Sequence, residues 1–173
     1  MGTRNLTIVK HNGETKVAQY GQWDGYPEGQ GATAYRFITG EGNLDRLEGN
    51  LSNCRWATDA DFDRIHTELG LDESGFMSME QSQQFEALAP TLHRNLGAEV
   101  LAHIADTDGE VILKDETAFL ADTLFCEWAY ALDLDNRTLT VYADGEERAR
   151  FSLDAMPSED DFYRTCYEGN LVK

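Results

Sequence analysis

The residues best suited to chemistry lie in one glycine-rich segment, which runs from Trp23 to Gly31 and reads WDGYPEGQG. Glycine permits close backbone approaches and proline fixes one dihedral angle, so the segment is predicted to be a shaped loop. Trp23 and Tyr26 could stack on a planar ligand. Backbone amides near Gly29 and Gly31, at the start of a helix, could hold an anion. Alternatively, both aromatic side chains belong to the core and the glycines only make a tight connection.

The N-terminal segment is expected to lie beside this loop. Alternating strand patterns flank Asn12-Gly13, and this dipeptide is the strongest short signal for a two-residue hairpin turn. The register that follows places Arg4 opposite Gly21, which leaves room for the guanidinium near Trp23, where it could pair with an anion. Alternatively, Arg4 covers the sheet edge with its aliphatic stem. The predicted ligand-binding residues are Thr3, Arg4, Trp23, Asp24, Tyr26, Gly29 and Gly31.

Thr3 also suggests a catalytic alternative. An N-terminal nucleophile hydrolase uses a Thr, Ser or Cys whose own α-amine is the base. Thr3 would need both Met1 and Gly2 removed, and nothing in the sequence signals that extra cleavage. The competing interpretation is that Thr3 is a strand residue with high β propensity.

Other ligand motifs are incomplete. Gly29 to Ala34 fits a loose dinucleotide-binding fingerprint, but the preceding strand belongs to a hairpin and the following helix is short. Asp106 to Gly109 suggests a calcium loop, yet an EF-hand alignment puts Ile104 where the first acidic ligand belongs. We therefore expect no cofactor.

The histidines and cysteines show no ligand spacing. They are His11, His66, His93 and His103, with Cys54, Cys126 and Cys166. Each histidine is predicted to be a surface or core residue rather than a metal ligand. The odd, scattered cysteines favour a reducing cytosol over a disulfide framework.

The charge is strongly acidic. The 173 residues include 32 Asp and Glu against 14 Lys and Arg, for a formal net charge of −18. Such a surface repels nucleic acids and anionic membranes and favours a basic host protein as partner. Acidic residues on two predicted helices could form its footprint: Asp59, Asp61, Asp63 and Glu68 on one, and Glu159, Asp160 and Asp161 on the other. A homo-oligomer is also compatible with these numbers.

The patterning predicts one α+β domain spanning residues 1–173. An N-terminal hairpin and a C-terminal meander are expected to join in one antiparallel sheet, with a helical section between them. Capping boxes at Thr58 and Ser78 predict two of the helix starts, and Ser158 with Asp161 predicts the closing helix. The N-terminus has no basic region followed by an apolar one, and no apolar run has membrane-spanning length, so we expect neither export nor membrane insertion.

Four stretches resemble a family of small uncharacterised proteins encoded by tailed bacteriophages and prophages. They are TRNLT at 3–7, QWDGYPEGQG at 22–31, LHRNLGAEVL at 92–101 and WAYALDLD at 128–135. The second is the most distinctive. The family pattern has an acidic residue at the position of Asn95, so this chain departs from it there. The resemblance implies a phage setting in the host bacterial cytoplasm and no particular activity.

Together these features predict a non-catalytic phage accessory protein, acting in counter-defence, that sequesters a nucleotide-like anion at the Trp23–Gly31 loop. The first alternative is an acidic protein that binds and blocks a host protein. The second is the N-terminal nucleophile hydrolase.

Overall fold

A computed structural model describes residues 2–170. Its main sheet has five strands in the order β2-β1-β5-β6-β7, and a separate small sheet pairs β3 with β4. The strands are β1 (Asn5–His11), β2 (Glu14–Gly21), β3 (Cys54–Trp56), β4 (Val111–Leu113), β5 (Trp128–Asp133), β6 (Thr138–Ala143) and β7 (Glu146–Ser152). The terminal hairpin and the meander thus share one mostly antiparallel sheet, and the predicted α+β class is confirmed.

The described residues contain six α-helices, of which five lie between β2 and β5 and the sixth follows β7. They are α1 (Ala32–Thr39), α2 (Asn43–Asn50), α3 (Asp59–Leu69), α4 (Met79–Leu88), α5 (Val100–Asp106) and α6 (Glu159–Glu168). The capping boxes predicted at Thr58 and Ser78 are both present. No helix within the described residues is long and apolar enough to cross a membrane.

The first hairpin has the predicted turn but a different register. Asn12 and Gly13 both have positive φ, and His11 pairs with Glu14. Beyond Lys10 the register shifts at a bulge, so Val9 pairs with Val17. An extra residue in one strand moves every later pair by one position. Consequently Asn5, not Arg4, lies opposite Gly21, and the predicted Arg4–Gly21 pairing is wrong.

The junction between the two halves of the sheet is parallel. Leu6 pairs with Ala129 and Val9 with Leu132, and both strands run in the same direction. A parallel pair needs a long crossover, which the helical section between β1 and β5 supplies. Strand β4 lies outside the main sheet, where it pairs in parallel with β3.

Apolar side chains cover both faces of the main sheet. The larger cluster packs helices α1, α2, α5 and α6 against strand residues that include Val17, Tyr130 and Val141. A smaller cluster on the opposite face contains Leu6 and Cys126, with Phe119 packed against it. Because side chains alternate along β1, Arg4 belongs to the face of Leu6 and not to that of Asn5.

Candidate ligand-binding cleft

The backbone amides of the glycine-rich loop are already bonded. Pro27–Gly31 forms a π-helical turn that runs directly into α1. The N–H groups of Gly29 and Gly31 donate to the carbonyl of Tyr26, and the N–H of Gln30 donates to that of Asp24. An anion cannot use amides that the turn consumes, so the expected anion cradle at Gly29 and Gly31 is not available.

The loop glycines permit close packing. A Cβ at Gly29 would lie 2.1 Å from the carbonyl oxygen of Asp24, and one at Gly31 would lie 2.9 Å from the Tyr130 hydroxyl. That hydroxyl, which is buried, donates a 2.7 Å hydrogen bond to the carbonyl of Gly25. The Tyr130–Gly25 hydrogen bond therefore attaches the loop to β5.

Trp23 and Tyr26 lie at the surface, with exposed fractions of 43% and 39%, so neither is a core residue. The Trp23 indole N–H donates to Asn95 Oδ1 at 2.9 Å. The Tyr26 hydroxyl donates to Asp24 Oδ1 at 3.2 Å, and the nearby Asp24 charge raises the pKa of Tyr26. Asp24 itself has a positive φ of 55°.

Arg4 points away from the predicted position beside Trp23. Its guanidinium lies over the ring of Phe125, 4.6 Å from the ring centroid, and its backbone N–H donates to Glu127. This placement follows from the shifted register, which puts Arg4 on the face of the smaller apolar cluster.

Thr3 is half-buried and lies two residues before β1, so the expected strand position is wrong, and its carbonyl accepts a hydrogen bond from the N–H of Gly25. The preceding Gly2 fits tightly, since a Cβ there would lie 2.4 Å from the Trp23 ring. Gly2 therefore contributes to the packing of Trp23. The nucleophile hypothesis for Thr3 stays a prediction.

The loop holds a second segment in place. Gln22 N–H donates to the carbonyl of Arg94 at 2.8 Å, Trp23 donates to Asn95, and the Ala98 N–H donates to Gln30 Oε1 at 2.7 Å. These three bonds tie the segment from Arg94 to Ala98 to the glycine-rich loop. The aromatic and glycine-rich residues thus position Arg94.

Beside this junction lies a cleft of about 310 Å³, which we call the basic cleft. Its lining residues are Gln19, Tyr20, Thr91, Leu92, His93, Arg94, Lys114, Glu116 and Phe119. Tyr20 and Phe119 meet edge to face with ring centroids 5.1 Å apart. The Glu116 N–H donates to the carbonyl of Ala18, which fixes the Lys114 segment beside β2. The volume is at the lower end of the range for small-molecule sites.

Two arginines lie near the Tyr20 hydroxyl. Burial raises the pKa of the Tyr20 hydroxyl, while the nearby charges of Arg4 and Arg94 oppose that rise. Lys114 lines the same cleft and pairs with Glu116 at 2.7 Å. Arg94 is exposed and takes part in none of the ion pairs of residues 2–170. The cleft can therefore offer an uncompensated guanidinium to an anion.

His93 contacts a serine without activating it. Its Nδ1 accepts a hydrogen bond from the Asn95 N–H at 3.3 Å, and its Nε2 lies 3.2 Å from Ser82 Oγ. A backbone N–H can only donate, so the neutral ring carries its proton on Nε2 and donates to Ser82. Burial also lowers the pKa of His93. An Nε2–H ring cannot act as base for the Ser82 hydroxyl.

Several predicted docking carboxylates are engaged within the fold. Asp61 is buried and accepts two 2.8 Å bonds from Arg55. Glu159 pairs with Arg36, and Asp161 pairs with Arg164. The docking hypothesis stays a prediction that rests on the remaining residues, which are Asp59, Asp63, Glu68 and Asp160.

Within residues 2–170, no group of three or more His, Cys, Asp or Glu side chains is arranged to hold a metal ion. The cysteine thiols of Cys126 and Cys166 are buried, and burial raises the pKa of each to about 12. Neither is a ready nucleophile.

Tyr20, Arg94, Lys114 and Phe119, which line the basic cleft, were not predicted from the sequence as site residues. One signal was present, since Arg94 lies in the third of the four stretches that carry the phage resemblance. The structure brings those stretches together: β1 pairs with β5, Tyr130 bonds to Gly25, and Gln22 bonds to Arg94.

No family model matches the chain, and the comparisons with curated proteins and with solved structures give no significant match.

Proposed function

We propose that this protein is a non-catalytic binding protein that sequesters a small nucleotide-like anion in the basic cleft. The observation that carries this proposal is the exposed Arg94, which forms no ion pair with residues 2–170 and lines one cleft with Tyr20 and Lys114, in a chain of net charge −18. The field of such a chain repels anions at long range. A cluster of cations therefore acts locally, within about 8–10 Å at moderate salt.

The chemistry of the lining suits a nucleotide. The Arg94 guanidinium can bind a phosphate through paired N–H groups. Lys114 lies in the same cleft, where it pairs with Glu116. Tyr20 and Phe119 provide aromatic surface for a base. The Trp23–Gly31 loop contributes indirectly, because its bonds to Arg94, Asn95 and Ala98 fix the segment that carries the guanidinium.

The polar side chains beside the basic cleft favour binding of a ligand without its chemical conversion. The His93–Ser82 contact has the wrong proton position for a nucleophile and its base. In the setting that the sequence resemblance implies, the protein would act in the host bacterial cytoplasm as a phage counter-defence factor that removes a signalling nucleotide.

Thermal-shift measurements at constant ionic strength test this proposal. The probes are AMP, GMP and their cyclic forms, with adenosine, guanosine and inorganic phosphate as controls. At 100 times its dissociation constant a ligand stabilises the fold by about 2.7 kcal/mol. We expect at least one nucleotide to raise Tm more than either its nucleoside or phosphate does. Absence of a shift with every nucleotide would contradict the proposal.

A further inference from the structure

A second, larger cleft adjoins the basic cleft. It has a volume of about 740 Å³, and we call it the Phe85 cleft. Helix α4 supplies Ser82, Phe85 and Glu86, and the chain between α3 and α4 supplies Phe76. Leu92, His93 and Arg94 line both clefts. These three residues form the divide between the two clefts. Its exposed side chain is the cation Arg94.

Each cleft has its own aromatic surface. In the Phe85 cleft the rings of Phe85 and His93 are buried, and the aromatic side chain open to a ligand is Phe76, which is 79% exposed. In the basic cleft Tyr20 and Phe119 are both half-buried and form an edge-to-face pair. Planar groups can therefore bind on both sides of Arg94.

The charged residues of the two clefts indicate where the phosphate and the base of a nucleotide would bind. Arg94 lies at the divide, the basic cleft contains Lys114 paired with Glu116, and the Phe85 cleft contains the carboxylate of Glu86 with no lysine among its lining residues. Glu86 Oε2 accepts a bond from Asn95, which in turn accepts one from Trp23. A phosphate is repelled by Glu86 and attracted by Arg94, so a neutral base is the part that suits the Phe85 cleft.

We propose that the ligand is a dinucleotide, with one base in each cleft and a phosphodiester held by Arg94 between them. This inference rests on the proposed function, and it specifies the class of ligand. A mononucleotide fills only the basic cleft. A dinucleotide uses both clefts, so its second base binds with the advantage of an intramolecular step.

Isothermal titration of AMP, linear pApA and cyclic di-AMP, and of the matching guanine series, tests the inference. We expect at least one dinucleotide to bind about tenfold or more tightly than its mononucleotide. Gln83→Trp, which places a bulky side chain in the Phe85 cleft, is expected to abolish that advantage and to leave mononucleotide affinity unchanged. Gln84→Trp is the control, because Gln84 is an exposed neighbour on α4 outside the cleft lining.

The outcomes separate the two proposals. Equal affinity for mononucleotides and dinucleotides would overturn the dinucleotide inference and leave the proposed function standing. Equal losses in Gln83→Trp and Gln84→Trp would also overturn it, because damage to α4 and not occupation of the cleft would then be the cause. Failure of both ligand classes to bind would remove the proposed function itself.

Discussion

The hydroxyl of Tyr130 donates a 2.7 Å hydrogen bond to the carbonyl of Gly25. Tyr130 lies in the sheet core, and Gly25 begins the bend that leads into the π-helical turn. This single buried contact joins the C-terminal half of the sheet to the loop that positions Arg94. Damage to the contact should therefore affect both stability and the cleft.

Tyr130→Phe removes that bond and leaves the buried Gly25 carbonyl without its partner. We expect a loss of about 1–3 kcal/mol in the free energy of unfolding, measured by urea denaturation. Tyr142→Phe on the neighbouring strand is the control. Tyr142 is half-buried, and its hydroxyl forms no hydrogen bond to residues 2–170, so a change within about 0.5 kcal/mol is expected. Equal changes in the free energy of unfolding for the two substitutions would contradict a stabilising role for the Tyr130–Gly25 hydrogen bond.

Gly29→Ala tests the close packing of the loop. The added Cβ would lie 2.1 Å from a backbone oxygen that has little freedom to move, so we expect destabilisation of about 1–3 kcal/mol. Gly49→Ala is the matched control inside α2, where a Cβ meets nothing within 4 Å. That change should stabilise the protein by about 0.5–1 kcal/mol. A neutral result for Gly29→Ala would mean that the loop relaxes easily.

The Arg55–Asp61 pair predicts a specific response to acid. Hydrogen bonds from Arg55 and from the Thr58 N–H hold the pKa of Asp61 far below its ordinary value. Because the folded-state pKa is below the unfolded value of about 3.9, the stabilisation is complete above that pH and is lost as pH falls below it.

Thermal unfolding between pH 7 and pH 2.5 measures this effect. Asp61→Asn should be less stable than the unaltered chain at pH 7, and the difference in Tm should narrow below about pH 4. Asp59→Asn, at an exposed position in the first turn of the same helix, should follow the unaltered chain throughout. A Tm difference between Asp61→Asn and the unaltered chain that stays constant with pH would contradict the lowered pKa of Asp61.

The His93 ring is predicted to be the neutral Nε2–H tautomer at pH 7.5, with a pKa below its ordinary value because of burial. Nitrogen-15 NMR distinguishes the tautomers directly, and Ser82→Ala should shift the Nε2 resonance. A proton on Nδ1 would instead leave Nε2 free to accept from the Ser82 hydroxyl. That result would favour catalysis over simple binding.

Local features of this fold were predictable because short segments determine them. The Asn12-Gly13 turn and the capping boxes at Thr58 and Ser78 depend on a few neighbouring residues. The hairpin register was not predictable in the same way, because the bulge near Lys16 leaves no clear sequence signal. The parallel pairing of β1 with β5 depends on packing of the whole helical section.

The site was only partly predictable. Trp23 and Tyr26 were predicted to bind a ligand on a shaped loop; both are exposed on that loop, and neither lines the basic cleft. The cations of the basic cleft could not be found from spacing, because Arg94 and Lys114 belong to separate segments that only the fold brings into one cleft with Tyr20. Arg4 was misplaced by the one-residue shift in register.

The central claim is that Arg94 binds the anionic group of a nucleotide in the basic cleft. The most direct measurement is the dissociation constant, by isothermal titration, of the nucleotide with the largest thermal shift, for Arg94→Ala and Arg148→Ala. Arg148 is the matched control, because it is an exposed arginine on β7, at the sheet edge opposite β2. Loss of a charge-assisted bond of about 1.5–3 kcal/mol should weaken binding by tenfold or more in Arg94→Ala. Arg148→Ala should stay within about twofold. Equal affinities for the two variants would contradict the account.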